Sequence, residues 1–409
     1  MEVSMRVMKG VLVTLLLLSA CLLSAQVTIK WFAFSPENME AYTALIAAYN
    51  KVEPNVKVDV ESVQADYPTQ LKLKLNSGNA PDIFVGTLGE IKLFAEYSAD
   101  LSNEPFVKNI LPALLGDVTY EGKIVGLPVK QDVEGIIYDK KAFADAGITT
   151  PPRTFAELEA AFKKIQAKGQ TPVTSGFKEW WVYKHLFNHF MGAETKDMRG
   201  LAASFIAGTT HFKDHPALLR YFDLVDLLVK YGLPRPLEVD FNAEMSAIGS
   251  HKVAMITGQG NWAEDGITKI DPSIQLGMIG LPVGDDPSKA RIVAGPGHAW
   301  RVYKDSKNLA AVKKFLNYWY NPSYNASYFT DGIHAFSPLK NAPAPKLQIA
   351  VQALDAINKA NVYAWASNFS PDSFHQRFGE LVQDYISGAR TKAQTIDEIE
   401  KAWIKLGPG

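Results

Sequence analysis

Hydrophobic and polar positions follow two rhythms along this chain. Val27 to Phe34 (VTIKWFAF) is rich in β-branched and aromatic residues and reads as a strand. Ser35-Pro36 then offers a helix start, a serine cap with proline at the first helical position. Met39, Tyr42, Leu45, Ile46 and Tyr49 follow at the spacing of one helical face. Val56, Val58 and Val60 alternate with Lys57, Asp59 and Glu61, the pattern of a half-exposed strand. Leu71 to Leu75 belongs to a helix that stops near Gly78, and Ala80-Pro81 turns the chain into a buried strand over Asp82–Val85. Such alternation of strand and helix predicts an α/β fold with a largely parallel sheet and helices on both faces.

Further along, Thr154 to Gly169 carries the clearest helical pattern. Thr154 with Glu157 forms a capping box, Phe155, Leu158, Phe162 and Ile165 make the apolar stripe, and Gly169 closes the end. Thr395 with Glu398 repeats the device near the C-terminus, where Ile399 and Trp403 are expected to pack inward. Residues 217–231 and 307–320 also read as amphipathic helices.

The first 25 residues break this pattern. Arg6 and Lys9 precede an almost purely apolar run from Val11 to Ala20, followed by small residues and then a polar chain. The run is too short for a spanning helix, so residues 1–25 read as a signal peptide and the mature protein as exported. Leu18-Ser19-Ala20-Cys21 has the form of a bacterial lipobox, in which Cys21 becomes a lipidated first residue; cleavage after Ala25 is the alternative. Cys21 is the single cysteine, which excludes an internal disulfide.

Composition narrows the class. A chain of 409 residues has length for two or three domains, and 47% hydrophobic residues suffice for sizeable cores. Forty-two basic against 43 acidic residues give a net charge of −1, which argues against a nucleic-acid partner. Aromatic residues stand beside acids or amides at Glu179-Trp180-Trp181, Asn261-Trp262, His298-Ala299-Trp300 and from Asn361 to Trp365. Rings cover the apolar C–H faces of pyranoses, and carboxylates and amides bond their hydroxyls. Trp180 and Trp181 would face opposite ways on a strand and about 100° apart on a helix, so one of them is expected to pack in a core.

Other chemistries find less support. His185 and His189 are four residues apart, as are His211 and His215, but no glutamate follows His185 as a zinc protease requires, and no metal is expected. Gly258-Gln259-Gly260-Asn261 lacks the later glycine and the lysine of a phosphate loop, so no cofactor is expected. Asp132 and Glu134 could be imagined as the acid pair of a secreted glycoside hydrolase, yet two residues apart on one strand they would not straddle a bond as such pairs do.

One resemblance joins these pieces. Asn76 to Asp82, the block from Tyr120 to Pro172, Lys252 to Gly258 running on to Trp262, Gly295-Pro296-Gly297, Val302 to Trp319 and Gly332 to Pro338 occur in an order and spacing that resemble the extracellular solute-binding proteins of family 1. These are the sugar receptors of bacterial ABC importers, maltose-binding proteins among them. The resemblance implies a two-lobed periplasmic-binding-protein fold of type II with a hinge of several chain crossings. Its first lobe would be 26–131 with 292–338 and its second 132–291 with 339–409. It implies a receptor rather than an enzyme, a sugar ligand held in a cleft, membrane permease subunits as partners, and a monomer in the periplasm or on the outer face of the membrane. A receptor for a polyol or a glycerophosphodiester is the alternative within the same fold.

The resemblance also places residues. Family members carry a carboxylate that bonds sugar hydroxyls after a Gly-Leu-Pro-like hinge strand, with ten residues between the matching proline and tyrosine. Pro128 and Tyr138 keep that interval and put Asp132 at the ligand position, where the residues alone would read equally well as a solvated turn acid. A Glu-Pro-Tyr turn of the family corresponds to Glu179-Trp180-Trp181, and a Gly-x-Trp turn to Trp262. Gly295 and Gly297, with His298, fall at hinge or cleft backbone, and Trp365 at a cleft wall. Ser35, Glu37 and Asn38 stand at a helix start whose amides could reach a ligand. The family's Asp-Arg pair has no counterpart: Thr87-Leu88-Gly89-Glu90 stands there, with Thr87 as the candidate contact, which sets the ligand apart from maltose.

Overall fold

The computed structural model describes residues 26–35, 38–63, 67–343, 345–359 and 361–408; Cys21 and Glu37 lie outside the described residues. The chain divides into two compact units, Met1–Phe84 with Val302–Trp319, and Val85–Arg301 with Tyr320–Gly409, so it passes between them at three places.

In the first unit, β1 (Val27–Ala33) is flanked by two parallel neighbours. It pairs with β2 (Val56–Ser62) from Val27 opposite Val56 to Ala33 opposite Ser62, and with the start of β3 (Ile83–Thr87) through Trp31 opposite Ile83. Trp31 is the hub of the core. Its ring lies 4.5 Å from Tyr42 on the Met39–Val52 helix and 4.9 Å from Trp319 on the Leu309–Trp319 helix. Asp82 knits the polar edge: one carboxylate oxygen accepts from Lys30 N (2.7 Å), and the other from the Ser306 hydroxyl. The first helix runs over Met39–Val52 with Asn38 as its N-cap; Pro36, the expected first helical position, lies outside the described residues. The Asn38 backbone amide is turned back onto the Ser35 carbonyl (3.1 Å), and the Asn38 side chain makes no capping bond. The buried stripe is accordingly Ala41, Tyr42, Leu45 and Tyr49.

The second unit opens with a hairpin of β4 (Thr119–Tyr120) and β5 (Lys123–Ile124), turned by Glu121 and Gly122 at positive φ. β6 (Leu127–Pro128) pairs antiparallel with β12 (His298–Val302), Pro128 opposite Ala299. The centre of this unit is β7 (Asp132–Asp139), buried along all eight residues. One edge of β7 takes β9 (Val253–Gly260), which carries β8 (Thr171–Ser175) beyond it. The other edge takes β11 (Ile292–Gly295) at its start and β10 (Leu276–Ile279) at its end, with β13 (Val362–Tyr363) outside β11. All three neighbours of β7 run antiparallel to it, and only the β8–β9 and β11–β13 pairs are parallel. The expectation of a largely parallel sheet therefore holds for the first unit and not here. It came from the strand–helix alternation of the first 85 residues, whereas β7 finds its neighbours through long excursions that bring the chain back in the opposite direction.

Helices cover this sheet, among them Phe155–Gln166, Trp180–Glu194, Pro216–Tyr231, Asp372–Ile386 and Lys392–Leu406. The Thr154 capping box forms, with Glu157 N donating to Thr154 Oγ1 and Glu157 Oε2 accepting from Thr154 N. The last helix starts one turn earlier than its sequence signal suggested. Thr391 with Gln394 is the capping box, and Thr395 is buried inside the helix, while Ile399 and Trp403 do pack inward. Among the described residues no helix is long and apolar enough to cross a membrane.

Candidate functional site

The start of β7, the end of β9 and the loop after β11 converge in the second unit. Asp132 is the first residue of β7 and is almost wholly buried. Its Oδ1 accepts from Asn261 Nδ2 (3.0 Å) and pairs with Lys130 Nζ (2.9 Å). Asn261 is itself anchored: its Oδ1 accepts from Val133 N (2.8 Å), and its Nδ2 also donates to the His334 carbonyl (3.1 Å). One amide thus stitches the end of β9 to the beginning of β7 and holds the carboxylate in place. Beside Asp132 opens a cavity of about 260 Å³. Gln131, Asp132 and Asp117 give it acceptors, Asn368 an amide, and Trp365 and Phe336 apolar walls. Burial raises the Asp117 carboxyl above the usual range, opposed by the charge of Arg199.

Trp365 leads from this cavity into an aromatic group. Its Nε1 donates to the Gly295 carbonyl (2.9 Å). Gly295 has φ +139°, a backbone conformation that favours glycine, while a Cβ there would make only ordinary contact with Trp365 Cδ1 at 3.4 Å. Trp262 stands 6.3 Å from Trp365, and His185 meets both rings edge-on at 5.4 Å. Trp181, one turn before His185 on the same helix, adds a fourth ring at 5.1 Å. The group is held by polar edges. His185 Nδ1 donates to the Gly258 carbonyl (3.0 Å), and Trp262 Nε1 donates to Gln259 Oε1 (2.9 Å). Burial lowers the pKa of His185, so its imidazole is neutral at pH 7. Gly260 makes room for the indole, because a Cβ there would lie 2.2 Å from Trp262 Cζ3.

Trp180 belongs to a different neighbourhood. Lys184 Nζ lies 4.8 Å over its ring and pairs with Asp372 (2.7 Å), while Gly379 lets the Asp372–Ile386 helix approach the Trp180 backbone. Glu179 is the cap residue of the Trp180 helix but makes no side-chain capping bond. Burial, followed by the nearby charge of Lys184, pushes His298 down to about 4, and the same pair of causes brings His375 to about 3. Thr87 Oγ1 donates to Glu90 (3.0 Å), Leu88 N donates to the Gly297 carbonyl (3.2 Å), and Gly89 lies hard against the Ser370 carbonyl.

Of the residues singled out from sequence, Asp132, Gly295 and Trp365 line the cavity, and Trp181 and Trp262 stand in the aromatic group behind Trp365. Gly297 accepts from the amide of Leu88, next to Thr87, His298 feels the charges of Lys184 and Asp372, and Glu179 and Trp180 occupy another side of the helix. Ser35 and Asn38 belong to the first unit. The structure adds Asp117, Gln131, Asn368 and His185, which the sequence did not mark as ligand residues. A clue to His185 was available, since it follows Trp181 by one helical turn; its spacing to His189 had drawn attention to metal instead. These two histidines bond separate carbonyls, His185 that of Gly258 and His189 that of Arg291. Among the described residues no three His, Cys, Asp or Glu side chains gather as a metal site.

The family model for bacterial extracellular solute-binding proteins matches residues 34–326. The chain belongs to that family. Its relatives include a multiple sugar-binding protein of Streptococcus mutans, 23% identical over 72% of this chain and 71% of the relative. The melibiose/raffinose/stachyose-binding protein MelE of Bacillus subtilis is 22% identical over 75% and 72%. Among solved structures, a sugar transporter of Bacillus licheniformis in complex with stachyose has a TM-score of 0.77 at 20% identity, covering 93% of this chain and all of the other. The solute-binding protein RafE in complex with raffinose reaches 0.80 at 19% identity, covering 93% and 99%. Family and fold therefore agree: this is a two-lobed solute-binding protein, and its family is extracellular.

Proposed function

We infer that this protein is the exported receptor of an ABC importer and captures a neutral sugar, with an oligosaccharide of the raffinose type as the first candidate. The observation that carries this reading is a fixed carboxylate beside an indole wall. The bonds of Asp132 to Asn261 and Lys130 converge on Oδ1, which leaves Oδ2 to take a sugar hydroxyl, and Trp365 lines the same cavity. Relatives named for melibiose, raffinose and stachyose point to the same chemistry. Lys130 and Lys184 are engaged by Asp132 and Asp372, which favours a neutral ligand over a phosphodiester. Asp132 and Glu134 sit on one strand, and Glu134 is fully buried beside His189 (3.4 Å), an arrangement suited to binding and not to cleaving a glycosidic bond. Within this proposal the lobes are 26–131 with 292–338 and 132–291 with 339–409, the protein is a monomer that delivers its ligand to permease subunits, and Cys21 carries the lipid anchor.

A thermal-shift screen over oligosaccharides, polyols and glycerophosphodiesters tests the reading. A true ligand at a hundredfold excess over Kd stabilises the fold by about 2.7 kcal/mol. Stabilisation by a phosphodiester and by no sugar would overturn it, and new reducing ends after incubation with the bound sugar would make the protein an enzyme.

A further inference from the structure

A polar line runs behind the aromatic group, away from the cavity. Glu244, on the Phe241–Gly249 helix, is fully buried, and so is Gln259 on β9. Gln259 Nε2 donates to Glu244 Oε2 (2.6 Å), and Gln259 Oε1 accepts from Trp262 Nε1 (2.9 Å). An indole N–H can only donate. Gln259 must therefore present its carbonyl to Trp262 and its NH₂ to Glu244, and the polarity of the whole line is fixed from one end. The strand leaves space for it: Gly176 stands where a Cβ would lie 2.9 Å from Glu244 Oε2. At the other end, Trp262 and Trp365 are linked through His185, so the indole that Gln259 orients is packed against the wall of the cavity.

We propose that Glu244 is a positioning residue that acts through Gln259 to set the indole of Trp262, and with it the aromatic wall of the ligand site. Neither Glu244 nor Gln259 lines the cavity. The effect on affinity rests on the sugar reading above; the effect on the indole does not. Burial holds the Glu244 carboxyl well above the usual carboxylate range, against the bond from Gln259, and glutamine at this position keeps its shape and a carbonyl to accept that bond.

The test uses the full-length mature protein and two readouts. The first is the ¹H–¹⁵N signal of the Trp262 indole, assigned by its loss in Trp262→Phe. The second is the calorimetric affinity for raffinose and stachyose. Glu244→Leu and Gln259→Met are expected to shift the indole signal and to weaken sugar binding tenfold or more. Glu244→Gln is expected to keep the signal in place and the affinity within threefold. An unmoved indole signal in folded Glu244→Leu overturns the proposal, as does a Glu244→Gln variant no better than Glu244→Leu. If Glu244→Leu does not fold, Glu244→Gln and Gln259→Met decide the matter: equal indole shifts and equal losses in the two would make Glu244 a space-filling residue. If wild-type protein binds neither sugar, the functional reading fails for these ligands, while the indole signal still decides the positioning claim.

Discussion

Trp180 and Trp181 are neighbours in sequence and belong to different chemistry. Trp181 points along the stripe that continues with His185 and meets Trp262 and Trp365, an aromatic group fastened at its edges by carbonyls and one amide. Trp180, about 100° round the same helix, lies under Lys184 and faces a buried ion pair with Asp372. One side of the helix carries rings that back the Trp365 wall of the cavity. The other has its charges consumed internally. The residue type alone says nothing of this division; what surrounds each ring decides it.

The sharpest way to break the comparison is to disable the ionic side. The Lys184 and Asp372 side chains are only 12% and 16% exposed, so Lys184→Met strands a buried carboxylate. The expected loss is about 3–5 kcal/mol of unfolding free energy in a denaturant titration, with sugar affinity of the folded protein nearly unchanged. If affinity collapsed while stability held, the two sides would have to be exchanged in this account.

Next in size is the carboxylate beside the aromatic group. Asp132→Ala removes a charged acceptor from a partly dry cavity, and binding should weaken by about 1.5–3 kcal/mol by calorimetry, roughly 10- to 150-fold. The tryptophans themselves come third. Trp181→Ala should weaken binding about tenfold through the loosened His185 ring. Trp180→Ala should leave binding within about twofold and cost about 0.5–2 kcal/mol of stability through its lost contact with Lys184. Equal effects of the two substitutions on affinity would erase the distinction.

The smallest effects are in pH dependence. His298 and His375 on the ionic side, at about 4 and about 3, and His185 on the aromatic side all have lowered values because burial penalises the charged ring. Their unfolded counterparts take up protons near pH 6.5. Below that pH the unfolded chain binds more protons than the folded one, so this contribution is full above about pH 6.5 and is lost as pH falls toward 4. His251 behaves in the opposite sense. Asp139 (2.7 Å) first, and Asp271 (3.0 Å) as well, hold its proton and raise its value. Its contribution is full below pH 6.5 and is lost as pH rises through the raised value. Melting curves should therefore show His298→Asn flattening only the acid limb and His251→Asn only the limb above neutrality; a reversed pattern would contradict both assignments.

Much of the first unit was legible because strand and helix periods alternate cleanly from Val27 to Val85, and the hub role of Trp31 follows from a strand whose last three residues are buried on both faces. The C-terminal helix shows where local reading stops. Thr391-x-x-Gln394 and Thr395-x-x-Glu398 both satisfy the capping pattern one turn apart, and only the packing of Thr395 selects the first. Asp132 could be found through the Pro128–Tyr138 interval, but its partner Asn261 is 129 residues away and no periodicity links them. His185 was visible as a histidine, but its spacing to His189 was weighed only against metal binding, since a helix repeats metal spacing and aromatic stacking at the same interval. Asp117 and Asn368 left no signal, because their place on the cavity wall is made by tertiary structure alone.

The most direct measurement is a calorimetric titration of raffinose and stachyose into wild-type protein and Trp365→Ala, with a melting curve on each. Saturable binding of one sugar per chain, weakened tenfold or more by Trp365→Ala in a protein that still melts cooperatively, is the predicted result. Wild-type affinity in Trp365→Ala, or no heat and no stabilisation from any oligosaccharide, would contradict the claim that this cavity and its aromatic wall are a sugar site.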